Sequence, residues 1–169
     1  MTETTLLPPR RGYYFEEFAP GQTIVSLART ITEADVVAFA ALSGDYNAIH
    51  TDAVSAAQGP FGRRVAHGLL VTSIAVGLAA RQGFIEGTVL AFREIDQWKF
   101  SLPVFFNDTV HVQATVTGTR LVRRLNAGMV FLQVEILNQD GQVVQQGTWS
   151  MLVKCAPPNN VYLDKGDPL

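Results

Sequence analysis

An acid, an amide and an imidazole stand close together in Gly44-Asp45-Tyr46-Asn47-Ala48-Ile49-His50, and a second imidazole follows in Val65-Ala66-His67-Gly68. Asp45 and His50 are of the types that move protons. Five positions separate them. On a continuous helix that spacing turns them about 140° apart, onto different faces. They converge only if the chain bends between them. Gly44 and the Asp-Tyr-Asn triplet supply residues that favour such a bend. A bent loop aiming an acid and an imidazole at one point is a general acid/base site. Taken alone, Asp45 and Asn47 are also ordinary turn residues after a helix.

The other histidines read differently. His67 suits a polar residue at a helix start, donating to a backbone carbonyl. His111 alternates with Val110 and Val112, which puts it on a polar strand face with Gln113. Three scattered histidines lack ligand spacing, so no metal site is expected. No glycine-rich phosphate loop is present, so no nucleotide cofactor is implied.

These residues need elements to hold them. Gln22 to Ile31 reads as a strand. Thr32-Glu33-Ala34-Asp35 fits a capping box with Asp35 in the usual place of Glu, opening a helix that runs to Leu42 with Gly44 as its C-terminal cap. A short helix is expected over Asp52 to Gln58. His67-Gly68 opens a third helix, Leu69 to Gln82, apolar nearly all round and therefore expected to be enclosed. The second half changes period. Thr88–Ile95, Gln97–Leu102, Asp108–Leu121, Met129–Asn138 and Gln142–Lys154 read as strands, with Asp140-Gly141 as a hairpin signal. Strands without helical crossovers are mostly antiparallel, and their apolar face needs a cover. The expectation is an α+β domain: a curved antiparallel sheet wrapped around one central apolar helix.

With 169 residues the chain is long enough for one such domain with a real core. Residues 1–11 read as a flexible arm, 12–155 as the domain and 156–169 as a tail. Apolar residues make up 47% and charged residues 17%. That low charge content leaves apolar surface to cover and favours an oligomer. A net charge of −2 and a pI near 5.9 point to neither nucleic acid nor an anionic membrane. The lone Cys155 excludes an intrachain disulfide and a thiolate zinc site, and fits a reducing, cytoplasmic location. The first residues lack a basic and apolar secretory pattern. Leu69 to Ala80 is too short to span a bilayer comfortably.

The stretch Phe39-Ala40-Ala41-Leu42-Ser43-Gly44-Asp45-Tyr46-Asn47-Ala48-Ile49-His50, with Val65-Ala66-His67-Gly68-Leu69-Leu70, resembles the motif of the MaoC-like dehydratases, the (R)-specific enoyl-CoA hydratases of the hot-dog fold. The resemblance covers about residues 12 to 155. It implies a hydro-lyase that reversibly adds water to a trans-2-enoyl-CoA, or dehydrates an (R)-3-hydroxyacyl-CoA. Asp45 and His50 match the family's catalytic pair. Gly68 matches the glycine whose N–H faces the thioester carbonyl, and Asn47 the asparagine that supports the loop. Ala48 stands in place of the usual proline. Val76 stands where some members carry an assisting serine, and Ser73 lies one turn earlier. Coenzyme A would be part of the substrate and no separate cofactor is implied. A homodimer, with strands meeting edge to edge or the site built at the subunit boundary, is expected.

Arg63 and Arg64 before the central helix, and Arg120, Arg123 and Arg124 in a hairpin-like loop, are candidates for the coenzyme A phosphates. Solvated surface charge is the commoner role for such residues. Two other functions compete. A hot-dog acyl-CoA thioesterase usually needs a carboxylate on the central helix, and Leu69 to Ala80 has none. A non-catalytic acyl-CoA-binding subunit would not require Asp45 and His50 together.

Overall fold

The computed structural model describes residues 5–6 and 12–158; the remainder of the expected arm and tail lies outside the described residues. Among the described residues, seven strands and four α-helices follow in the order β1 Thr5–Leu6, β2 Gln22–Val25, β3 Arg29–Thr30, α1 Glu33–Ser43, α2 Ala48–Thr51, α3 Ala53–Ala57, α4 Gly68–Ala80, β4 Val89–Phe100, β5 Thr109–Val122, β6 Ala127–Leu137 and β7 Val143–Lys154. The sheet order is β1-β2-β5-β6-β7-β4, with β3 paired to β5. Every pairing is antiparallel except β1 with β2. Thr5 and Leu6, expected in a loose arm, thus form a short parallel strand against Gln22 and Thr23.

The core lies between α4 and the concave face of the sheet. Alternating residues of β5 (Val110, Val112, Ala114, Val116) and β6 (Val130, Leu132, Val134, Ile136) are fully buried. They meet Leu70, Val71, Ile74, Ala75 and Leu78 of α4. This is the expected sheet wrapped around a helix, the hot-dog arrangement. The helix is not covered all round. Leu69 is 62% exposed, and Ser73 and Gly77 on the same stripe are open. The stripe falls on the face turned from the sheet, at the i, i+4, i+8 spacing of one helix side.

Two strand expectations change in detail. Gln22 to Ile31 is two short strands rather than one. The break begins at Ser26, whose hydroxyl accepts from the Val112 N–H at 2.9 Å and donates to the Leu27 carbonyl at 2.8 Å. Thr88–Ile95 and Gln97–Leu102 fuse into the single strand β4. The interruption read at Asp96 survives as an irregularity between Asp96 and Lys99, with Gln97 at φ 51°.

The first helix positions the candidate loop. Its capping box is formed as expected: the Asp35 N–H donates to Thr32 Oγ1, and Thr32 N–H donates to the Asp35 carboxylate. Arg29 pairs with the same carboxylate. Burial alone would raise the Asp35 pKa, but the Thr32 N–H, the Thr32 hydroxyl and Arg29 outweigh it and hold the carboxyl below its usual value. Gly44 ends α1 at φ 77°, with its N–H on the Ala40 carbonyl at 2.9 Å. That left-handed conformation is the reason a glycine stands there.

Candidate active site

The bend after Gly44 is built from local polar contacts. Ser43 Oγ donates to the Phe39 carbonyl and accepts the Asp45 N–H. Asp45 Oδ1 accepts the Asn47 N–H at 3.2 Å. Asn47 Oδ1 accepts the Ile49 N–H, capping α2, the one-turn helix that carries His50. The Asn47 side chain therefore supports the loop, the role expected for it, while its backbone N–H holds the Asp45 carboxylate. This short helix was not read from the sequence; its signal is Asn47 followed by Ala48-Ile49-His50. The sequence-expected helix from Asp52 is present as α3, capped by the Asp52 carboxylate.

The bend brings Asp45 and His50 together. Asp45 Oδ2 lies 3.9 Å from His50 Nε2. The imidazole is 9% exposed and the carboxylate 51%. His50 Nδ1 is 2.8 Å from the carbonyl of Val65, which can only accept. The proton of neutral His50 therefore sits on Nδ1, leaving the Nε2 lone pair turned toward Asp45. The gap of 3.9 Å is too long for a hydrogen bond. A water at ordinary distance from both atoms would be held at an angle of about 90°, a geometry open to a bridging molecule.

His67 joins them. It is 2% exposed, its ring stacks on His50 at 3.8 Å between centroids, and its other neighbour is Phe39 at 5.1 Å. Its Nε2–H donates to the backbone carbonyl of Asp45 at 2.9 Å. This is the carbonyl-donor role expected for it at a helix start. The Nδ1 atom is buried with no hydrogen-bond partner among the described residues.

Two of the three histidines are thus not scattered, as the sequence spacing suggested. Asp45, His50 and His67 offer ligand atoms within 4.8 Å of one another, and among the described residues they are the group that could hold a metal ion. The ring planes of the two histidines differ by 29°. Ring-nitrogen lone pairs lie in those planes, so they run side by side rather than converging on one point. The arrangement suits proton transfer better than tetrahedral or octahedral ligation. His111 stands apart on β5, paired with Leu137.

These side chains line a cavity of about 540 Å³ with Gly68 at its wall. Gly68 is the first residue of α4, and its N–H has no partner among the described residues. A Cβ there would come within 2.6 Å of Phe100 Cε1, so the ring packs directly on the glycine. The other walls are mostly apolar, from Phe39, Ile49, Phe61, Leu69, Leu102 and Val104. Val76 and Ser73 do not line the cavity; Ser73 donates to the Leu69 carbonyl. Its hydroxyl-bearing lining residues are Ser43 and Ser101 instead.

Neither arginine pair lines the cavity. Arg63 and Arg64 lie beside it: Arg63 covers the ring of Phe105, and Arg64 pairs with Glu33 at 2.6 Å and covers Phe106. Arg123 and Arg124 form a 3-10 turn after β5. Cavity residue Gln145 pairs with Ile136, and Ile136 with Val112. From that level to Val122 is ten residues of strand, about 33 Å. Within one chain, Arg123 and Arg124 are therefore not brought to this site. Arg124 lines a separate hollow with Arg93 and Arg120. Gln145 itself was missed in the sequence; its signal is a polar residue at the inward register of β7 shared by Trp149, Met151 and Val153.

Comparison with known proteins bears on the family and the fold. The family model described as MaoC like domain matches residues 16–135. The chain is 42% identical over 102 residues to Protein MaoC of Klebsiella aerogenes, covering 60% of this chain and 30% of that protein. It thus spans under a third of that relative's length. It is 37% identical over 94 residues to the (R)-specific enoyl-CoA hydratase of Aeromonas caviae, covering 56% of this chain and 68% of that one. The solved structure of a protein from Archaeoglobus, titled a monoamine oxidase regulatory protein, superposes with a TM-score of 0.82 at 34% identity, over 89% of this chain and 100% of that one. With a hot-dog sheet, the acid and imidazole in one loop and a matching family model over most of its length, the chain belongs to the MaoC-like dehydratase family.

Proposed function

We propose that the protein catalyses the reversible hydration of a trans-2-enoyl-CoA to the (R)-3-hydroxyacyl-CoA. The observation that carries this reading is Asp45 Oδ2 and His50 Nε2 facing each other across 3.9 Å at the wall of a cavity that also presents Gly68. Both atoms grip one water. Neutral His50, bare at Nε2, takes a proton from that water as its oxygen bonds to C3. Ionised Asp45 orients the water and stabilises the imidazolium. Electron density moves from the C2–C3 double bond toward the thioester oxygen, and the proton held by His50 then passes to C2. Water's oxygen and both its hydrogens end in the product, and His50 is reset. The free Gly68 N–H at the start of α4 stabilises the charge on the thioester oxygen, helped by the helix dipole. One such donor is worth about 10²–10³ in rate. The chemistry calls for no cofactor beyond the coenzyme A carried by the substrate.

The apolar walls suit an acyl chain, and Arg63 and Arg64 are the basic residues beside the cavity for coenzyme A phosphates. A homodimer through the open edge of β4 accompanies this reading. Among the described residues, no helix is long and apolar enough to cross a membrane. The test is turnover on a panel of trans-2-enoyl-CoA thioesters of graded length, followed by loss of enoyl-thioester absorbance and chiral analysis of the product. Formation of the (R)-alcohol supports the reading. Release of free thiol without hydration would indicate a thioesterase, although α4 carries no carboxylate. Saturable binding without either reaction would indicate a non-catalytic acyl-CoA-binding subunit.

A further inference from the structure

Behind Gly68 lies a chain of buried polar groups whose direction is fixed by its two ends. Trp98 Nε1 carries a proton and can only donate; it lies 3.2 Å from Thr72 Oγ1 and 3.3 Å from Gln145 Oε1. The Gly68 carbonyl can only accept, and Gln145 Nε2 lies 2.9 Å from it. The amide of Gln145 must therefore present NH₂ to Gly68 and its oxygen to Thr72 and Trp98. Thr72 Oγ1 completes the link: it lies 2.7 Å from Gln145 Oε1 and 3.1 Å from the Gly68 carbonyl, so its one proton serves both acceptors, the nearer being Gln145. Gln145 is 2% exposed and Thr72 6%. A directional network of this kind, buried at Gln145 and Thr72 and half-buried at Trp98, holds one geometry.

The anchored group matters because it belongs to a glycine. No Cβ restricts the backbone of Gly68, so its two flanking peptide groups must be held from outside. The peptide before it is held by the Val71 N–H on the His67 carbonyl at 3.2 Å. The peptide after it is held at the Gly68 carbonyl by Gln145 Nε2 at 2.9 Å and by Thr72 Oγ1 at 3.1 Å. Between them these contacts set where the free Gly68 N–H points, and Phe100 presses on the glycine from a further side.

We infer that Gln145, backed by Thr72 and Trp98, is a positioning clamp that aims the Gly68 N–H at the thioester oxygen. The inference rests on the hydratase reading for its kinetic consequence. Thr72 does not line the cavity, so changing it leaves the cavity wall in place. Thr72→Val keeps the shape and removes the hydroxyl; Thr72→Ser restores it. Two signals are read on folded protein well below its unfolding temperature: enoyl-CoA hydration, and the ¹³C shift of the Gly68 carbonyl, which follows hydrogen bonding to that oxygen.

Thr72→Val is expected to move the Gly68 carbonyl signal and to lower kcat about tenfold or more with KM little changed, and Thr72→Ser to return both toward the wild type. Trp98→Phe, which removes only the outer donor, should shift both signals in the same direction by less. Thr72 Oγ1 also touches the Gly68 carbonyl directly, so the deciding variant is Trp98→Phe, whose indole reaches that carbonyl only through Thr72 and Gln145: an unmoved Gly68 signal there overturns the clamp. A moved signal with undiminished kcat overturns its positioning role. If the wild type hydrates no enoyl-CoA, the hydratase reading fails, and the Gly68 signal still decides whether the clamp exists.

Discussion

His67 is stacked on His50 with ring centroids 3.8 Å apart, and from that position its Nε2–H holds the backbone carbonyl of Asp45. One buried imidazole therefore sets the plane of the other and the place of the carboxylate. His67→Ala removes the stack and the hydrogen bond together. Turnover is expected to fall by about 10²-fold through misplacement, and stability by about 1–3 kcal/mol from the lost buried bond. Steady-state kinetics and urea unfolding of the same sample check both, and unchanged turnover in a destabilised protein would assign His67 to structure alone.

Gly68 and Phe100 make a coupled pair. A methyl group at 68 would meet the Phe100 ring at 2.6 Å. Gly68→Ala should displace either the ring or the start of α4 and reduce turnover at least about tenfold. In a Phe100→Ala background the same change should be close to neutral, because the obstructing ring is gone. A double-mutant cycle on turnover measures this coupling. Independent, multiplying effects would show that the ring contact is not what requires glycine.

Among the described residues β4 ends the sheet with its outer edge open, and Leu90, Phe92 and Ile95 along it are exposed. Unpaired strand edges with apolar residues attract a partner. The protein is expected to scatter light as twice 18.4 kDa, and Ile95→Lys to shift it toward the monomer. A wild-type monomer at micromolar concentration would remove the edge-to-edge dimer.

Cys155 is expected to be an unreactive thiol. Burial, followed by its hydrogen bond to Glu16 and that carboxylate's charge, pushes its pKa up to about 11. Only about one molecule in a thousand carries the thiolate at pH 8. Alkylation by iodoacetamide should stay slow at pH 8 and rise steeply toward pH 11, and Glu16→Gln should move that rise to lower pH. Rapid labelling of the wild type at pH 8 would contradict the assignment.

The parts of this layout that depend on neighbours in sequence were legible there. Thr32 with Asp35, the Gly44 cap and the alternation along β5 and β6 act over a few residues, and each leaves a local pattern. The bend that unites Asp45 with His50 is local too. Contacts made across the fold leave no such trace. Gln145 reaches Gly68 over 77 positions, and Val65 fixes the His50 tautomer through a backbone carbonyl that any residue carries. The stacking of His50 on His67 arises because a loop and the start of α4 meet, so spacing along the chain made the two look unrelated. The open stripe of Leu69, Ser73 and Gly77 was hidden for the opposite reason: apolar residues around the helix resemble full enclosure even where the fold leaves one side uncovered.

The most direct measurement is enoyl-CoA hydration by Asp45→Asn, His50→Ala and the double variant. Asp45 is half exposed and its Oδ1 contact to Asn47 survives in the asparagine, so the charge is removed with the loop in place. Each single change should lower turnover by about 10²–10⁴, and the double variant should be little slower than the slower single, because both groups act on one water. Near-normal turnover by Asp45→Asn would contradict the site, and effects that multiply in the double variant would contradict the shared water.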